Sequence, residues 1–126
     1  MSKRYRGLIV NGAYTRVYPR GGAGGDFEFP RDDGRYIRVC IGMDQPWAHV
    51  VATLVHEFFE LRAALLGLRV ANRDELAFDA AGVRFYFDHA QYTELCVGVG
   101  HDLADVLPWV AGVHTEWQEK KEKDDE

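Results

Sequence analysis

Residues 46–66 carry Trp47, Val50, Val51, Leu54, Phe58, Leu61 and Leu65 at helical spacing, and Gly67 follows as a residue suited to a left-handed cap. Asp44 stands where an N-cap would, with Pro46 in the first turn. A helix this long with one apolar stripe must bury that stripe against a second layer.

The preceding residues can supply that layer. Residues 5–10 read as a short strand, Asn11-Gly12 as a hairpin turn, and residues 13–18 as the returning strand. The run Gly21-Gly22-Ala23-Gly24-Gly25 reads as a flexible loop. No Lys-Ser or Lys-Thr follows it, so it is not a phosphate-cradling loop. Residues 26–29 read as a short extended piece, and Asp32-Asp33-Gly34 as a turn. Residues 35–41 alternate polar and apolar as a half-buried strand does.

After the central helix, residues 74–81 suit a short helix and 83–87 a strand or an extended entry. A second helix is expected over 89–107, with Gly98 and Gly100 weakening it or admitting another backbone. Pro108 should end or kink it, and residues 109–117 suit a last helical segment. Residues 116–126 are nearly all charged and predict a disordered tail. The expectation is one α+β domain over residues 1–115: a small N-terminal sheet packed on two helices.

Chemistry concentrates on the central helix, which reads His56-Glu57-Phe58-Phe59-Glu60. At about 100° per residue, His56 and Glu60 share a face opposite the apolar stripe, and Glu57 lies on a flank. Two donors at i and i+4 can reach one metal ion, and a carboxylate beside the first can act as general base toward metal-bound water. In the H-E-x-x-H arrangement both helical donors are His and a Glu comes from elsewhere. Here Glu60 takes the second His position, so the missing His must come from another segment. His89, opening the next helix, is the best-placed candidate, and His49 could substitute. The expected ion is Zn²⁺, with His56, Glu60 and His89 as ligands and Glu57 as base. The bland alternative is a solvated helical face, with His89 a helix-start residue bonded to nearby backbone. Glu94 could support a ligating His from outside the ligand set, although an exposed helical Glu is the better account of it.

The strand over 35–41, the helix with V-x-T-L-V-H-E-x-x-E and the helix opening D-H-x-Q-Y-x-E together resemble small phage and prophage proteins regarded as minimal zincin-like metallopeptidases. Their helix carries T-L-L-H-E-x-x-[HE], and a later helix contributes a His. The resemblance covers about residues 35–107, through Thr53, Leu54, His56, Glu57 and Glu60, then His89, Gln91 and Glu94. It implies a zinc hydrolase of peptidase type acting on a peptide or protein, with His56, Glu60 and His89 on the metal and Glu57 as base. Glu60 stands where peptidases usually have His, which bears on hydrolysis more than on metal binding.

Two other readings stay open. A catalytically inactive zincin-like domain could bind zinc or another protein, its contact surface marked by exposed aromatic side chains. Glu57-x-x-Glu60 with Asp102-x-x-Asp105 faintly resembles the four-carboxylate magnesium site of all-α nucleoside triphosphate pyrophosphohydrolases, though a strand-rich N-terminus does not belong in that fold. A formal net charge of −5 over 126 residues gives no overall basic footprint, so nucleic acid is not an expected partner. No apolar run has the length of a membrane span, and no signal-peptide core follows the basic start, which predicts a cytoplasmic protein without a membrane partner. Cys40 and Cys96 stand alone in apolar surroundings and read as two buried thiols, and His101 and His114 as surface groups.

Overall fold

A computed structural model describes residues 4–30, 35–71, 83–85 and 87–124. Strands β1 (Arg6–Val10) and β2 (Ala13–Arg20) form the expected hairpin, turned by Asn11 and Gly12 at φ 46° and 83°. The chain then crosses to the far side as β3 (Gly25–Glu28) and returns between the two as β4 (Ile37–Gly42). The sheet order is β1-β2-β4-β3, with β2 and β4 parallel and both outer pairs antiparallel. The strand expected over 35–41 is therefore interior, and the edge beside the central helix is β3. The turn expected at 32–34 and the short helix at 74–81 lie outside the described residues.

Helix α1 (Trp47–Leu65) matches the periodic stretch, and Gly67 at φ 73° ends it as expected. Its N-terminus differs from expectation. Pro46 occupies the cap position with no side-chain hydrogen bond. Asp44 instead accepts Gly22 N–H at 2.6 Å and the Trp117 indole N–H at 2.9 Å, tying the loop after β2 to the end of the next helix. Those donors hold its carboxyl below the usual Asp range. A short hairpin, β5 (Arg69–Ala71) with β6 (Val83–Phe85), follows.

Helix α2 (His89–Asp124) begins with a reciprocal cap: Gln91 N–H donates to Asp88 Oδ1, and Asp88 N–H to Gln91 Oε1, both at 2.8 Å. Contrary to expectation it does not stop at Pro108. The helical bond Pro108 cannot make is outweighed by burial on both sides, through Leu95, Val99, Val106, Val110 and Val113. Nor does its charged end behave as a disordered tail through Asp124. Gln118 donates to Met43 O at 2.9 Å, Lys121 pairs with Asp44, and His114 contacts Gln45 O at 2.8 Å, so His114 is half-buried rather than a surface group.

Both helices cover one face of the sheet. Leu8, Val10, Val17, Ile37, Val39 and Ile41 meet Val50, Leu54, Phe58 and Leu61 of α1 and the buried valines of α2. The helices are pinned to each other by Arg62, which donates to both oxygens of Asp102 at 2.6 and 2.8 Å, Asp102 being 3% exposed. Gly98 is required there: a Cβ would come within 2.6 Å of the Arg62 guanidinium, so a side chain rather than a backbone makes the close approach. Nothing lies within 4 Å of a Cβ built on Gly100. Cys40 is buried as expected, whereas Cys96 is exposed. Among the described residues no helix is long and apolar enough to cross a membrane.

Asp102→Ala should cost about 2–3 kcal/mol by stranding the partly covered Arg62, whereas Gly100→Ala should gain about 0.5–1 kcal/mol in helix propensity, both read by urea denaturation. The Asp44 clamp stabilises the fold above the ordinary Asp value. It is lost as pH falls through the lowered folded value, so Asp44→Asn should flatten that part of an acid-unfolding curve.

Candidate functional site

The HExxE segment sits where α1 passes beneath β3. A Cβ on Gly25 would lie 2.7 Å from Thr53 Cγ2, 2.8 Å from Cys40 O and 3.3 Å from Glu57 Cγ. Only a residue without a side chain lets helix and strand approach this closely. Thr53 is oriented by donating to His49 O at 2.7 Å. Gln45 spans the end of the site, donating to Gly42 O at 2.9 Å and to Thr53 Oγ1 at 3.4 Å.

Glu57, expected on a flank, is instead directed to the sheet and is 5% exposed. The helix rotates it inward because Val50, Leu54, Phe58 and Leu61 form the buried stripe, and Glu57 adjoins that stripe on the β3 side. His56 projects outward, 70% exposed, with Nε2 3.3 Å from Glu60 Oε2. Protonated, the imidazole pairs with that carboxylate. An open groove of about 380 Å³ runs over this segment, lined by Gly24, Gly25, Ala52, Thr53, His56 and Glu57.

The structure thus joins His56 to Glu60 and places Glu57 beside them, facing the strand. His89 and Glu94 are both exposed near the start of α2, and His49 is exposed on α1. Among the described residues no three His, Cys, Asp or Glu side chains group closely enough to hold a metal ion. Of the three expected ligands, the structure brings His56 and Glu60 together. Gln91, a matched position of the D-H-x-Q-Y-x-E segment, is engaged in the helix cap with Asp88. The carboxylates of the magnesium reading are likewise engaged: Asp102 by Arg62 and Asp105 by Arg6 at 2.7 Å.

Sequence reasoning missed Gly24, Gly25 and Gln45. The available signal was the glycine run next to an extended piece, since a glycine inside a strand marks close approach of another element. Comparison with protein-family models, curated proteins and solved structures finds no match to this chain.

What the arrangement can do follows from its parts. Among the described residues β3 pairs with β4 alone, and a strand paired on one side can add an extended chain on the other. The His56 imidazole and the Glu57 carboxylate line the groove beside that strand.

Gly25→Val should displace β3 from α1, lowering stability by about 1–3 kcal/mol. Amide exchange should rise first across β3.

Proposed function

We propose that this chain is a zincin-like interaction domain that binds an extended peptide segment by strand addition to β3, in the groove that His56 and Glu57 line. The observation that carries this reading is that β3, lying over the HExxE segment, pairs among the described residues with β4 alone. The phage-type ancestry suggested by V-x-T-L-V-H-E-x-x-E supports the same architecture, an active-site helix beneath an edge strand. Both cysteines are free, which supports a reducing, cytoplasmic setting.

A zinc peptidase is the second reading. It is favoured by the 3.3 Å contact between His56 and Glu60, two donors of the expected kind on one helical face. It requires a third donor, His89 being the one in this chain that the motif supplies. Glu57 would then be the proton acceptor beside the first ligand.

Peptides selected from a displayed random library against the wild-type protein test the first reading. Selected binders should protect the Gly25 and Phe27 amides, which point away from β4, from hydrogen exchange. Binders that leave β3 unprotected, or no binders at all, contradict it. Elemental analysis of protein purified without a metal-binding tag separates the second. Binding without metal predicts no stoichiometric zinc, whereas about one zinc per chain, lost in both His56→Ala and His89→Ala, would establish the peptidase-type site.

A further inference from the structure

The helices cover only one face of the sheet, and the other face carries an aromatic and basic layer unrelated to the groove. Arg16 lies 4.2 Å over the rings of both Tyr5 and Tyr36, and Arg38 lies 4.8 Å over Tyr18. Arg16 also donates to the hydroxyls of Tyr18 and Tyr14, each at 3.4 Å, and Tyr18 contacts the Tyr36 hydroxyl at 3.3 Å. The parallel register sets Arg16 directly beside Arg38. Like charges at facing positions on neighbouring strands oppose each other, and the usual remedy is a carboxylate. Among the described residues no carboxylate pairs with either one: Glu28 is in register with Arg38 without an ion pair to it, and Asp26 lies 3.7 Å from Arg20. Two adjacent guanidiniums set over aromatic rings suit a bound anion with several acceptor oxygens.

An open cavity of about 440 Å³ adjoins this layer at the β1 edge, lined by Tyr5, Gly7, Ile9, Tyr14 and Trp109 together with Arg6. Gly7 shapes it. A Cβ there would come within 2.6 Å of the Tyr14 hydroxyl and 3.0 Å of its ring, so Tyr14 can lie across the strand only over a glycine. Tyr5 and Tyr14 line the cavity and also flank Arg16, so a slot among aromatic rings is continuous with the two guanidiniums.

We propose that this cavity and the adjoining Arg16–Arg38 face bind a nucleotide, its base among Tyr5, Tyr14 and Trp109 and its phosphate on the two guanidiniums. Planar bases stack on such rings without needing a sequence-specific edge, and guanidinium forks match phosphate oxygens. The negative net charge argues against nucleic acid when averaged over the chain, whereas Arg16 and Arg38 stand side by side on this face. The same chemistry fits a free nucleotide or one within a single strand.

The test is fluorescence anisotropy of a labelled deoxythymidine oligomer of about 15 nucleotides at about 50 mM salt, with AMP, inorganic phosphate and phosphatidylserine vesicles as competitors. The oligomer should bind, and Arg16→Gln with Arg38→Gln should weaken it at least about tenfold and reduce the salt slope by about 0.7 per arginine. Tyr14→Leu should weaken it with the slope unchanged, and His101→Ala, on the exposed side of α2, should change nothing. Thermal melts establish that each variant is folded. Full competition by AMP identifies a mononucleotide site, and binding of the oligomer without such competition identifies a strand site. Either outcome supports the proposal. Absence of binding by both, full affinity in the double arginine variant, phosphate competing as well as AMP, or binding to vesicles alone would overturn it.

Discussion

The approach of α1 to the sheet at Gly25 is the constraint on which the groove depends. Thr53 and Glu57, one helical turn apart, press against the point where β3 pairs with β4, and the Cys40 carbonyl closes the gap from the other side. Because no side chain intervenes, the HExxE segment lies at the strand rather than a layer away from it. The same contact turns Glu57 inward and leaves His56 and Glu60 at the rim. Displacing the helix by the thickness of one methyl group would separate the polar wall from the backbone edge, and the groove would lose its ability to read an extended chain.

That approach is held from a distance. Asp44 and Gln45 link the loop after β2 to the start of α1, and the last turns of α2 hold both through Trp117, Gln118 and His114. At the other end of the helix pair, Arg62 and Asp102 fix how α1 lies along α2. The groove is therefore a consequence of contacts between residues far apart in the chain.

The periodic signals in the sequence were sufficient for α1, its Gly67 terminus, the β1–β2 hairpin and the α+β class, because local geometry decides each of these. Signals that depend on tertiary partners were not. Asp44 reads as a helix cap but is claimed by Gly22 and Trp117, and Pro108 reads as a helix end but is carried through by valines buried on either side. The charged end reads as a tail, yet Trp117 and Gln118 find acceptors on the loop before α1. For the site, the wheel placed His56 and Glu60 together correctly, since that is a property of one helix. It placed Glu57 on a flank because which side the sheet covers is not encoded in α1 alone. The tyrosine and arginine alternation of β2 and β4 was visible as strand pattern, but only the parallel register brings Arg16 beside Arg38.

That the HExxE helix lies directly against β3, which among the described residues pairs with β4 alone, is the point on which the groove depends. It is tested most directly by carbon-edited nuclear Overhauser spectra of the labelled protein, together with amide exchange. The account predicts strong cross-peaks between the Gly25 α-protons and the Thr53 methyl group, with alternate β3 amides protected by β4 and the others exchanging freely. Missing cross-peaks, or uniform protection along β3 that signals pairing on both sides, would contradict it.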